Sequence, residues 1–249
     1  MTIDRPSDTQ ALRRLWKQAF GDSDAFLDSF FSVGYSPDRC RQLSLDDRLA
    51  AALYWFDCSF GGKPIAYIYA VATDTSFQGQ GLCRALMADT HRHLQKLGYV
   101  GAILVPGTPS LFQFYEKLGY RTCGYIGKLT CHAGTAVPLR CIDAAEYAAL
   151  RRRFLPADGV LQDGALLDFL QTQASFFAGS DFVCCASLEA DVLTVPELLG
   201  DPSAAPGITA ALNARQGHFR TPGKTVPFAM YYPLSEESEA PGYFGLALD

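Results

Sequence analysis

The stretch that most constrains the fold of this 249-residue chain runs from residue 66 to residue 105. Ala66-Tyr67-Ile68-Tyr69-Ala70-Val71-Ala72-Thr73 is a run of strand formers, and after a short loop comes Gln78-Gly79-Gln80-Gly81-Leu82-Cys83. Leu82, Leu86, Leu94 and Leu97 then recur at helical spacing until Gly98, and residues 100–105 form a continuous apolar strand. A strand that enters a helix through glycines exposes backbone N–H groups at the positive end of the helix dipole, which is a site for phosphate. Gly79 and Gly81 carry no Cβ, so the backbone can approach an anion closely. Taken alone, such a glycine pair is equally an ordinary turn.

The surroundings narrow the choice. Residues 8–20 place Leu12, Leu15, Trp16, Ala19 and Phe20 at helical spacing, with Ser7 or Asp8 as N-cap and Gly21 as the stop. A second helix is expected from Ser23 or Asp24 to Phe31. Residues 40–45, 49–60 and 64–73 read as antiparallel strands, punctuated by the turn signals Asp46-Asp47 and Gly61-Gly62. After the glycine loop, a short helix is expected over 110–118, stopped by Gly119, and another strand from Tyr120. Beyond residue 133 the order begins again. A strand over 137–141 precedes a helix from Asp143, with Glu146 completing a capping box. A helix over 165–177, strands over 182–187 and 192–198, a helix from Pro206 to Gly217, and strands over 227–233 and 243–248 complete the series. The repeated order suggests two units in tandem, 1–133 and 134–249, although two separately evolved pieces would give the same pattern.

Composition sets the outer limits. At ~150 residues per domain the length suits one large domain or two small ones. Apolar residues are 49% and charged residues 19%, which excludes a disordered chain. The net charge of -5 is the reverse of what a nucleic-acid binder carries, and the one basic run, Arg151-Arg152-Arg153, reads as a solvated helix end. No window approaches 18 uninterrupted apolar residues and Met1-Thr2-Ile3-Asp4-Arg5-Pro6 has no apolar core, so neither a membrane span nor a secretory signal is expected. The eight cysteines are scattered with no C-x-x-C, and His91 and His93 stand two apart on an expected helix, pointing in different directions. The expectation is a cytoplasmic protein with reduced thiols, without a metal, a membrane or a nucleic-acid partner.

Two known phosphate loops fail to match. A Walker loop needs Lys followed by Ser or Thr after the second glycine, and neither is present. A dinucleotide fingerprint needs Gly or Ala where Arg84 stands, and an acidic residue ~20 positions further on, where this chain has only residues 99–104. Gln78-Gly79-Gln80-Gly81-Leu82-Cys83 instead resembles the Q/R-x-x-G-x-G/A loop of the GNAT superfamily of N-acetyltransferases, with Cys83 in the last small-residue slot. Phe114-Tyr115-Glu116-Lys117-Leu118-Gly119-Tyr120 is similar to the family's Y-E-K-L-G-F/Y helix end, and the resemblance covers roughly residues 1–130.

The resemblance implies an α/β (α+β) fold of GNAT type, a mixed and mostly antiparallel sheet flanked by helices, with a second GNAT-like half in tandem. It implies acetyl-CoA as co-substrate and direct transfer to a small-molecule amine in a ternary complex. Val71, Ala72 and Thr73 would pair with the pantetheine arm as an added strand. Gln78, Gly79, Gln80, Gly81, Leu82, Cys83 and Arg84 would surround the pyrophosphate, and Tyr115 would protonate the departing thiolate. Cys83, at a helix N-terminus where a thiol pKa falls, has no histidine tied to it and is better read as a small packing residue facing the co-substrate. For a general base, Asp57 and Asp74 are candidates by position only; Glu116 neighbours Tyr115 on another helix face. Some members use the chain's terminal carboxylate, here on Asp249. The second half lacks the glycine loop and would wall the acceptor pocket or provide a face for a homodimer. Its aromatic residues Phe228, Tyr231, Tyr232, Tyr243 and Phe244 would line that pocket or form a sheet core. The alternative function is a non-catalytic acyl-CoA sensor or interaction module.

Overall fold

The computed structural model describes residues 1–236 and 238–248. The chain opens with a short strand, β1 (Thr2–Asp4), and two helices, α1 (Thr9–Phe20) and α2 (Asp24–Ser29). Asp8 caps α1 by accepting from Gln10 N and Ala11 N, and Gly21 ends it with a φ of 76° that favours glycine. Three strands follow, β2 (Cys40–Leu45), β3 (Arg48–Phe60) and β4 (Lys63–Thr73), then α3 (Leu82–Lys96), β5 (Gly101–Leu104), α4 (Pro109–Glu116) and β6 (Arg121–His132). The remainder is β7 (Arg140–Ile142), α5 (Ala144–Phe154), β8 (Leu161–Gln162), α6 (Ala165–Gln171), β9 (Ser175–Ala178), β10 (Phe182–Glu189), β11 (Val192–Gly200), α7 (Ala205–Ala211), β12 (Gln216–Pro222) and β13 (Val226–Pro233).

The strands join in one sheet in the order β1-β2-β3-β4-β5-β13-β6-β12-β11-β10-β9-β7, with β8 against β3. Strand pairs are antiparallel except β4·β5 and β11·β12, each joined by a helix, α3 and α7 respectively. This is the mixed, mostly antiparallel sheet flanked by helices that the sequence leads one to expect. β13 crosses the expected boundary at residue 133: it lies between β5 and β6 and pairs with both. Gly101 makes that insertion possible, because a Cβ there would lie 1.8 Å from the Tyr231 hydroxyl.

β3 shows how the pleat sorts the core. Tyr54, Phe56 and Cys58 face a cluster with Trp16, Leu27, Phe30 and Phe169, whereas Leu53 and Trp55 face Leu86 and Leu94 of α3. Being buried on both faces, the strand reads as a continuous apolar run. Trp16 is the hub of the first face, with its ring centroid 4.5 Å from Phe30, 5.1 Å from Tyr54 and 5.5 Å from Tyr69.

Some elements depart from the sequence reading. The helix expected over 165–177 ends at Gln171, and Ser175–Ala178 is a strand paired with both β10 and β7. The helix expected to reach Gly217 stops at Ala211, and Gln216–Pro222 is a strand between β11 and β6. Residues 243–248 belong to no strand; their one ladder contact is the bridge Gly159↔Tyr243.

Candidate active site

The glycine loop is built from β4 outward. Asp74 caps the turn Thr75–Phe77, accepting from Ser76 N at 2.8 Å and Ser76 Oγ at 2.6 Å. The Gln78 amide reaches back to donate to Thr73 O at 3.2 Å, so the loop is braced at both ends. Gly79 and Gly81 both have φ near 77°, and nothing lies within 4 Å of where a Cβ would stand. Gly81 is the N-cap of α3 and no side chain caps the helix, so the N–H groups of its first turn have no side-chain acceptor. Leu82 is buried beneath the loop, Cys83 is half-buried and Arg84 is exposed.

β4 provides an open edge beside this loop. Its parallel register with β5 runs from Ile65↔Gly101 to Tyr67↔Ile103 and stops there, so the rest of β4 diverges from β5. On the other edge, Ala52 pairs with Ala72 and Tyr54 with Tyr69, which places Ala70 and Val71 opposite the single residue Leu53. Ala70 takes φ 48°, rare for a residue with a Cβ, and this bulge accompanies the divergence of the strand. Val71, Ala72 and Thr73 therefore run past the end of β5, with Ala72 still paired to Ala52 on the β3 side and Thr73 O accepting from the Gln78 amide.

Tyr115 closes the other side. It lies on α4, is 7% exposed, and packs edge-on to Phe114 and Tyr120. Burial, with the Cys83 thiol beside it, pushes its hydroxyl well above the ordinary tyrosine range. Cys83 itself is pushed up to about 11 by burial, opposite to the lowering expected at a helix N-terminus.

Val71 and Tyr115 meet at a cavity of about 500 Å³. Trp16, Phe20, Phe26, Tyr67 and Tyr69 line one side of it, and Leu170, Ser187, Pro196, Arg220 and Leu248 enter from the second half of the chain. Residues 4–123 match the model of the acetyltransferase (GNAT) domain, a span that includes the glycine loop, the diverging strand and Tyr115. These residues form a GNAT acetyltransferase domain.

The relatives agree on the fold. A GCN5-related N-acetyltransferase from Kribbella flavida superposes with a TM-score of 0.68 at 18% identity, over 92% of this chain and 70% of that one. One from Anabaena variabilis gives 0.71 at 13% identity, over 94% and 73%. In sequence, mycothiol acetyltransferase of Saccharomonospora viridis is 41% identical over 66 residues, which is 25% of this chain and only 21% of that protein.

The aromatic residues of the second half do not line the cavity beside the GNAT domain's strand. Tyr243 and Phe244 lie in the core, Tyr231 packs over Gly101, Tyr232 stacks on His91 at 4.0 Å, and Phe228 borders a neighbouring cavity of about 660 Å³.

Nor do Asp57, Asp74 and Glu116, named from the sequence, line the cavity. Burial opposes the charge of Asp57, but hydrogen bonds from Arg39 and Tyr99 outweigh it and hold its pKa below the usual carboxylate range. Asp74 is occupied as a turn cap and Glu116 is exposed. Asp249 lies outside the described residues. Among the described residues, the carboxylate in the cavity wall is Asp22, which sequence reasoning missed. Trp16 Nε1 donates to Asp22 Oδ2 at 2.7 Å. Its neighbours Asp24 and Asp28 are paired with Lys17 and Arg13, whereas Asp22 has no basic partner among the described residues. No group of three or more His, Cys, Asp or Glu that could hold a metal occurs among them either. No helix among the described residues is long and apolar enough to cross a membrane.

Proposed function

We propose that this chain is an acetyl-CoA-dependent N-acyltransferase that moves an acetyl group to a small-molecule amine by direct attack in a ternary complex. The observation that carries the reading is that the strand edge left open by β5 and a buried tyrosine border one cavity, and that the same strand leads on through two open glycines into an uncapped helix N-terminus. The space left at Gly79 and Gly81 suits a pyrophosphate, held by the N–H groups of residues 79–84 with Arg84 as a charged donor. Bound acetyl-CoA supplies the activated thioester. The stretch Val71, Ala72 and Thr73, which β5 leaves uncovered, pairs with the pantetheine arm, and an N–H there polarises the thioester carbonyl.

Tyr115 stays protonated at neutral pH because burial raises its pKa, and it donates that proton to the departing thiolate. The acceptor lies among Trp16, Phe20 and Phe26, with Asp22 facing its ammonium group before deprotonation. Mostly apolar walls, with Asp22 the carboxylate among the described residues and Arg220 entering from the second half of the chain, suit an amine with an apolar body. The carboxylates Asp57 and Asp74, being elsewhere, favour the second reading, a sensor that binds acyl-CoA without turnover.

Two measurements separate these. At ~100 times its dissociation constant, acetyl-CoA adds about 2.7 kcal/mol and raises the melting point by roughly 5–10 °C. Thiol release from acetyl-CoA with phenethylamine, tryptamine or hexylamine marks the enzyme. A melting shift without thiol release marks the sensor, and no shift at millimolar ligand refutes both.

A further inference from the structure

Arg151 and Glu197 form an ion pair whose side chains are 1% and 0% exposed. Such a pair is worth little more than apolar side chains of the same volume, so its presence is better explained by what it specifies. Arg151 Nε donates to Glu197 Oε2 at 2.7 Å and Nη2 to Oε1 at 2.9 Å. Nη1 donates to Val160 O at 2.9 Å and Nη2 also to Gln162 Oε1 at 3.1 Å. The hydroxyls of Tyr147 and Tyr243 complete the Glu197 carboxylate at 2.8 and 3.0 Å.

The contacts leaving this cluster converge on residues 243–248. Val160 N donates to Tyr243 O at 2.9 Å. Gln162 uses its amide like a peptide of a neighbouring strand: Nε2 donates to Leu246 O at 2.5 Å and Oε1 accepts from Leu246 N at 3.2 Å. At Gly245 a Cβ would lie 1.9 Å from Glu197 Oε1 and 2.3 Å from the Tyr243 hydroxyl, so this backbone runs directly against the ion pair. Further along, Leu248 N donates to the Tyr67 hydroxyl at 3.1 Å. Side chains thus do here what a strand ladder does elsewhere. The segment they hold ends in Ala247 and Leu248, which wall the 500 Å³ cavity together with Tyr67 and with Pro196, the residue before Glu197.

We infer that Arg151, Glu197 and Gln162 are positioning residues for the acceptor site, fixing the path of residues 243–248 and so the cavity wall made by Ala247 and Leu248. The use of that wall rests on the acyl-transfer reading; its anchoring does not. The full chain is compared with Gln162→Met, which removes both bonds to Leu246 at similar volume, and with Tyr243→Phe, which removes one hydroxyl from Glu197. Hydrogen exchange at residues 245–248 rises about tenfold in Gln162→Met and less in Tyr243→Phe, with β3 and β4 unaffected. In thiol-release assays with the best of phenethylamine, tryptamine and hexylamine, KM for the amine rises about tenfold, while kcat and the KM for acetyl-CoA stay within about twofold. Unchanged exchange in both variants overturns the proposal. Faster exchange with an unchanged amine KM reduces the cluster to a fold element and overturns its role at the site. Absence of thiol release by the wild type overturns the acyl-transfer reading and the wall's use, while exchange still decides the anchoring.

Discussion

The buried ion pair permits a stability prediction worked from its contacts. Arg151→Met deletes the four hydrogen bonds that Arg151 donates and leaves the Glu197 carboxylate, 0% exposed, with two tyrosine hydroxyls and no cation. Breaking one side of a buried pair costs about 3–5 kcal/mol, because the other charge stays desolvated. At roughly 2–4 °C per kcal/mol for a chain of this size, the melting point falls by about 6–20 °C. Glu197→Leu strands the guanidinium instead and has a similar effect. The double variant Arg151→Met/Glu197→Leu buries no charge. Its main loss is the acceptor of the Tyr147 and Tyr243 hydroxyls, ~1–2 kcal/mol each. It should therefore cost about as much as either single change, against ~8 kcal/mol for their sum, giving a coupling of about 4 kcal/mol. Urea unfolding followed by tryptophan fluorescence, with calorimetry alongside, measures all four corners. Single variants costing ~1 kcal/mol or less, or a double variant that costs the full sum, would refute the reasoning.

Other expectations follow from single sites. Tyr115→Phe keeps the packing against Phe114 and Tyr120 and lowers kcat by ~10²-fold or more, with acetyl-CoA binding nearly unchanged. Because burial raises its pKa, Tyr115 adds no alkaline limb to the pH–rate profile between pH 6 and 9; unchanged kcat in the variant would exclude the acid role. Gly81→Val forces a β-branched residue to φ 77° at a helix N-terminus, costing ~1–2 kcal/mol and abolishing the acetyl-CoA melting shift. A retained shift would remove the loop from the binding site. His91, stacked on Tyr232 and hydrogen-bonded to Tyr120 at 2.8 Å, is held down to about 4 by burial, from 6.5. Below pH 6.5 the unfolded chain gains a proton that the folded chain refuses, so stability falls by ~3 kcal/mol as pH drops from 6.5 towards 4. His91→Gln should flatten that window in urea titrations, and an equal slope would show that other groups cause it. A fragment of residues 1–133 lacks β13, leaving the facing edges of β5 and β6 unpaired, and should aggregate. A soluble fragment with a cooperative transition would show that the first unit folds alone.

What was legible in the sequence is what is local. Asp8 and Gly21 frame α1, Gly61-Gly62 turns β3 into β4, and Gly79 with Gly81 marks the start of α3, because caps and turns are decided by a few adjacent residues. The errors fall where distant partners decide. Phe176 and Phe177 continue the apolar pattern of Leu166, Leu167, Phe169 and Leu170, yet they belong to β9, flanked by β10 and β7. Gln216-Gly217-His218-Phe219 looks like a helix end and loop, but the edges of β11 and β6 make it a strand. Residues 243–248 are apolar enough for a strand, but after Tyr243, which meets the backbone of residues 158–160, Leu246 and Leu248 are held by the side chains of Gln162 and Tyr67. Asp22 has no motif at all; it matters because Trp16 orients it into a cavity whose far wall comes from residues 170–248. The two sides of the candidate site are therefore written differently. The side expected to take acetyl-CoA is contiguous from Val71 to Arg84 with Tyr115 close behind, so it can be read as a motif. The side proposed for the acceptor is assembled from distant parts of the chain, with Trp16, Phe20, Asp22 and Phe26 facing α6, β11, β12 and the anchored segment 243–248. Substitutions there can reshape the acceptor pocket while leaving the glycine loop, the diverging strand and Tyr115 unchanged. One co-substrate site can in that way be combined with many acceptors.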